Sequence, residues 1–149
     1  MADNLRFPAR EMYPNRKLVV WAASSHVIKD RTALDPETDR TREMIPAGSY
    51  VREGFGDAAY VLAFTSGGGA VGSRNTGTQT DFGSPSPDSL EAKALTSPYD
   101  LSFSPLSPEA PVRTSWILGY QPMRGAWGRV VDGVFFIRTM TPTAYRPAE

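Results

Sequence analysis

The sequence predicts an α/β fold, a mostly parallel sheet with covering helices and a proline- and glycine-rich irregular middle. Three observations predict it. Leu18–Ala23 and Ala58–Ser66 are unbroken apolar runs whose length suits strands buried on both faces. A short helical pattern lies between them, giving the strand–helix–strand order that joins parallel neighbours. The chain has 149 residues, 40% of them hydrophobic, which is the size of one ordinary domain with apolar matter enough for a core.

Each element follows from local pattern. Ala2–Met12, with caps at Asp3 or Asn4 and apolar Leu5, Phe7, Ala9 and Met12, has a helical spacing that Pro8 interrupts unless it sits in a first turn. "KLVVWAA" is the first buried strand. Asp30–Arg42 alternates charge, contains Pro36 and has no apolar face, so it reads as a solvated loop. From Ser49, an N-cap followed by Tyr50, Val51 and Phe55 and a stopping Gly56 predicts a helix of about two turns. After the second strand, "SGGGAVGS" turns the chain, and Ala70–Val71 opens a short strand or bulge. Prolines 85, 87, 98, 105, 108 and 111 argue against regular structure over Thr76–Ser89 and Pro98–Pro111, apart from a brief helix at Leu90–Leu95. Val134–Thr139 is a third buried strand, closed by Pro142. The organisation expected is one domain over 1–149 with a loop-rich insertion at 76–111.

Composition narrows the function. Lys plus Arg equals Asp plus Glu at 16 each, and the basic residues are scattered, which disfavours nucleic acid and anionic lipid as partners. Without cysteine there is neither a disulfide framework nor a thiolate metal site. "MADNLRFPARE" has charges where a signal peptide needs an apolar stretch, and no run reaches membrane-spanning length, so a soluble cytoplasmic protein is expected. One histidine, and carboxylates Asp30, Asp35, Glu37 and Asp39 strung out without a calcium-loop pattern, predict no metal and no cofactor.

Ligands of α/β sheets collect outside the carboxyl ends of parallel strands, where Ser24, Ser25 and His26 would emerge from the first strand. Two readings of His26 stand side by side: a strand-end residue hydrogen-bonded to a neighbouring loop, and a general base, since an imidazole titrates near neutrality. Ser24 and Ser25 read as loop hydrogen-bonders, because "ASSHV" lacks the sharp elbow of a serine nucleophile. Gly67, Gly69 and Gly72 have dinucleotide-loop spacing but open no βαβ unit, so a turn is the better reading. Trp21, Trp116 and Trp127 read as core or pocket-wall residues.

Four segments taken in order, "MADNL", "YPNRKLVVWAASSHVIKD", "GSYVREGFGDAAYVLAFTSGGG" and "DGVFFIRTMTP", resemble the erythromycin esterase family, which includes succinoglycan-biosynthesis-like proteins. The resemblance runs from Met1 to Pro142, with little match between Gly77 and Ala110. It implies a partial version of the erythromycin-esterase-like domain and hydrolysis of a carboxylic ester, classically a macrolide lactone in antibiotic resistance, by water that histidine and glutamate activate without a metal. The family run Trp-Ala-His-Asn-x-His falls here on Trp21, Ala22, Ala23, Ser24, Ser25 and His26. His26 thus inherits the catalytic position, Trp21, Ser24 and Ser25 the substrate side, and Ala23 replaces a titratable histidine. The remaining histidine and glutamates belong to an N-terminal portion of the longer family proteins that has no counterpart here, as expected of a truncated gene, a late start codon or a split subunit. Two functions follow as expectations: an esterase-like hydrolase, and a catalytically inactive module that binds a ligand or completes a longer partner. The uncovered apolar edges of such a part predict marginal stability, self-association or a complementing N-terminal segment.

Overall fold

The computed structural model describes residues 2–39, 45–72 and 77–142. Helix α1 (Ala2–Phe7) runs straight into a wider helical turn, Pro8–Met12, at Pro8, whose missing N–H breaks the regular α-helical ladder there. Arg10 ties this segment to α3 (Ala47–Phe55), donating from Nη2 to Gly54 O at 2.8 Å and lying 5.3 Å from the Phe55 ring centre. Between them comes α2 (Ser24–Val27), a single turn. Helix α3 begins at Ala47 behind Pro46 rather than at a Ser49 cap, and ends at Gly56, whose φ of 53° an L side chain rarely adopts.

Two small two-stranded sheets and one three-stranded sheet follow. β1 (Leu62–Ser66), β2 (Ala70–Gly72), β3 (Gln79–Asp81), α4 (Leu90–Leu95), β4 (Leu101–Pro105), β5 (Arg113–Ser115), β6 (Met123–Gly125), α5 (Trp127–Val130) and β7 (Gly133–Ile137) complete the order. The central strand is β7: β1 pairs with it in parallel and β4 antiparallel. β2–β3 and β5–β6 are antiparallel hairpins. The sheet expected to be mostly parallel is therefore small and mixed.

The largest correction concerns Leu18–Ala23. The segment forms no strand, and Val19 and Trp21 are 92% and 83% exposed. An apolar run predicts a strand buried on both faces only where sheet neighbours and covering layers exist, and among the described residues none pairs with it. Ala58–Ser66 is a strand only from Leu62, after a single turn at Gly56–Ala58. The proline-rich stretches hold β3 and β4, where no regular structure was expected; β4 is an edge strand with Pro105 at its end, a place where a missing N–H costs no ladder bond. Nor is the segment after Asp30 merely solvated. Arg31–Ala33 makes a helical turn, Leu34 is buried and bridges Gly125, and buried Asp39 pairs with Arg31 at 2.8 Å; residues 40–42 of that expected loop lie outside the described ones.

The core gathers on one face of the large sheet. Ala63 and Val134 from β1 and β7 meet Ile28, Leu34, Ile117, Leu118, Met123, Trp127, Val130 and Val131. Trp127 and Trp116 are both buried, as expected of core tryptophans. Alternation of side chains puts Leu62, Phe64, Leu101 and Phe103 on the opposite face, and all four are exposed. Below the amino ends of β1 and β7, Lys29 Nζ meets Asp132 Oδ1 at 2.5 Å while Asp132 Oδ2 accepts from Val61 N at 2.7 Å. That ion pair clamps the chain after α2 to both parallel strands.

Candidate functional site

α2 brings three of the four predicted site residues into one helical turn. Its entrance is Ala23, extended at φ −61° and ψ 140°, and its exit Ile28 donates to Ser24 O at 3.2 Å. Ser24, Ser25 and His26 are all half-buried. The turn is pressed against α3: Gly48 lies so close to the carbonyls of Val27 and Ile28 that a Cβ there would overlap both. His26 donates its backbone N–H to Ala23 O at 2.9 Å, and its imidazole makes no hydrogen bond to any described residue. A half-buried imidazole without an internal partner keeps hydrogen-bonding capacity for water or a ligand. Trp21 does not join this turn. Its ring sits 5.4 Å from that of Phe64 on the uncovered face of the sheet, far more exposed than a pocket wall.

A second concavity lies beside the carboxyl end of β1 and was not legible as a site. It is a half-open cavity of about 240 Å³ whose lining includes Phe82, Glu91, Ser115, Trp116 and Tyr120. The Ser89 hydroxyl caps α4 by accepting from Ala92 N at 3.0 Å, and the helix so started carries Glu91, fully buried, against the sheet. Three donors converge on Glu91 Oε1: Thr65 Oγ1 at 2.6 Å, Ser115 Oγ at 2.6 Å and Trp116 N at 3.3 Å. Oε2 has no hydrogen-bond partner among the described residues. Trp116 is fixed by Nε1 donating to Ser66 O at 2.7 Å.

Aromatic rings close the other side. Phe82, placed by the β2–β3 hairpin, stacks on Tyr120 at 4.4 Å and meets Trp116 edge-on at 5.2 Å. Tyr120 has φ 58°, the only described residue other than glycine on the positive side, a conformation costing roughly 1–3 kcal/mol. Its stacking and the hydroxyl's 3.1 Å approach to Met140 Sδ hold it there. Burial pushes the phenol's pKa up, against the opposing effect of the neighbouring Ser66 hydroxyl. The rule that singled out Ser24–His26 at a strand end applies equally to Thr65 and Ser66 at the end of β1. Their partner Glu91 gave no such signal, because it reaches them only through the fold.

The described residues contain no group of three or more His, Cys, Asp or Glu able to hold a metal ion, and no helix long and apolar enough to cross a membrane.

Comparison with known proteins is in line with this architecture. A Bacillus cereus protein of known structure superposes with a TM-score of 0.69 at 16% identity, covering 95% of this chain and 37% of that one. A succinoglycan biosynthesis protein gives 0.70 at 17% identity, with 94% and 37% covered. A mutant of the erythromycin esterase EreC in its open conformation gives 0.67 at 14%, with 93% and 35% covered. At these identities the likeness is one of fold, and the chain spans little more than a third of the length of each. No curated protein sequence matches it. The erythromycin esterase family model matches residues 1–140, nearly everything from α1 through β7, and on that extent of match the chain belongs to the erythromycin esterase family.

Proposed function

We propose that the chain supplies the His26-bearing wall of an esterase-like hydrolytic site. What supports this reading is a half-buried His26 imidazole, without a hydrogen-bond partner among the described residues, in a chain of that family and at the position that the sequence resemblance gives to a histidine. In the reaction, His26 takes a proton from a water whose oxygen attacks the ester carbonyl carbon. The tetrahedral intermediate then breaks its carbon–oxygen ester bond, and the proton passes to the departing alkoxide, leaving an acid and an alcohol. Ser24 and Ser25, in the same turn as His26, orient the substrate. A macrolide lactone is the substrate proposed, with antibiotic resistance as the setting. The test is hydrolysis of erythromycin, followed by mass spectrometry, by wild type and His26→Ala. Ring opening lost in the variant, with an unchanged melting temperature, is expected; ring opening that survives the substitution overturns the role of His26.

A second reading rests on a different observation. Val19, Trp21, Phe64 and Phe103 leave one sheet face and one apolar segment uncovered in a chain that covers about 37% of each of two structural relatives. This supports a catalytically inactive module that completes a longer partner chain. It predicts no turnover of any ester, and co-purification with a separately made N-terminal segment of a family member. Failure to co-purify counts against this reading.

A further inference from the structure

We infer that the cavity beside Glu91 binds an organic ammonium group, a site distinct from the His26 turn and independent of hydrolysis there. Glu91 presents the central fact. Its side chain is wholly buried, all three donors that reach it meet at Oε1, and the residue lines the cavity while its buried Oε2 has no hydrogen-bond partner and no Lys or Arg within ion-pairing distance among the described residues. A buried carboxyl with one oxygen unpartnered is costly until something pairs with it, and the other oxygen is already held by two hydroxyls at 2.6 Å.

The cavity walls select the partner. Phe82, Trp116 and Tyr120 enclose the space with aromatic rings, whose faces attract cations, and Pro85 and Pro122 extend the apolar lining. Ser84, Ser86 and Thr114 line the same space and offer oxygens to N–H groups. An anion would meet Glu91 with no basic residue in the lining to offset it. A metal ion would find one carboxylate and no second acid or histidine there, too few ligands for calcium or magnesium. A purely apolar guest would leave Oε2 unpaired. An alkylammonium satisfies the carboxylate with its charge and the rings with its carbon atoms. About 240 Å³, open on one side, suits a small amine or the ammonium end of a larger molecule. Backbone strain at Tyr120 fits such a site, since residues held in sparsely populated conformations cluster where ligands are clamped.

The test titrates the 149-residue chain with n-butylammonium chloride, n-butanol and sodium butyrate, following the Trp116 indole N–H in proton–nitrogen correlation spectra. Saturable shifts with butylammonium, at least about tenfold tighter than with butanol, and none with butyrate, are expected. Glu91→Gln, which keeps the side-chain shape and an acceptor for Thr65 and Ser115, should remove the preference for butylammonium over butanol. Phe82→Leu should weaken butylammonium severalfold while leaving Glu91 in place. The comparison of the three probes needs no variant, so it stands even if Glu91→Gln fails to fold. Equal response to butanol, a stronger response to butyrate, or no saturable response to butylammonium overturns the inference. So does a folded Glu91→Gln that still prefers the cation.

Discussion

Single residues carry much of this structure's charge chemistry. Asp30 caps the turn at Arg31–Ala33: its Oδ1 accepts from Thr32 N at 2.9 Å and Thr32 Oγ1 at 2.6 Å, while Oδ2 meets Arg129 at 2.6 Å. Partial burial pulls its pKa up, but the bonds from Thr32 and Arg129 outweigh that and hold it below the usual value. A depressed carboxylate contributes stability that is fully present above its unfolded pKa and lost as pH falls through the folded one. Asp30→Ala should therefore cost about 1 kcal/mol at neutral pH. The gap between the two proteins, read from thermal melts across pH, should narrow below about pH 4. Asp132→Ala should cost more, about 3 kcal/mol in denaturant titrations, because it strands Lys29, whose side chain is 8% exposed, without a counter-charge. Neither residue's role was legible in the sequence, since Asp30 meets Arg129 and Lys29 meets Asp132 about a hundred positions away.

Among the elements, local signals served where they were strong and failed where the partner was remote. α4 was legible because Ser89 caps it and no proline interrupts Leu90–Leu95. β7 was legible because an apolar run there is covered on its core face and flanked on both edges. β4 was missed although Leu101, Ser102, Phe103 and Ser104 alternate with strand period, because the prolines around it pointed the other way. The first apolar run was misread for the opposite reason: it reports a burial that the described residues do not provide. The Ser24–His26 segment was singled out from its place after that run, and the structure makes it a helical turn, while the Glu91 cavity stayed hidden because its parts come from β1, α4, β5 and the residues that follow β3 and β5. Packing of α2 against α3 also yields a test. Gly48→Ala would drive a methyl into the Val27 and Ile28 carbonyls, and a loss of about 1–3 kcal/mol in melting experiments is expected, with a shifted His26 signal in imidazole NMR spectra.

At the scale of the whole molecule, one sheet face is core and the other is bare. Phe64, Phe135 and Phe103 stand opposite one another across β1, β7 and β4, with Trp21 leaning on the first. Contiguous apolar surface of this kind occurs where proteins meet other proteins, membranes or ligands, and association of copies through it can be tested directly. Sedimentation velocity should show an average mass rising with concentration for the wild type, and a concentration-independent monomer for Trp21→Ser combined with Phe64→Ser. A wild type that stays monomeric throughout would mean that this face does not bring copies together.

The strand order also bears on how the chain is made. β7 is the strand that both β1 and β4 need, and it lies about seventy residues beyond β1. During synthesis β1 and β4 leave the ribosome with no ladder to join, and the sheet closes only after Gly133–Ile137 has emerged. Closure of so long a loop makes the pairing slow as well as late. A nascent chain stalled before Gly133 would leave the ladder edges of β1 and β4 unpaired and open to chaperones, whereas one from which Ile137 has fully emerged would already be knitted together.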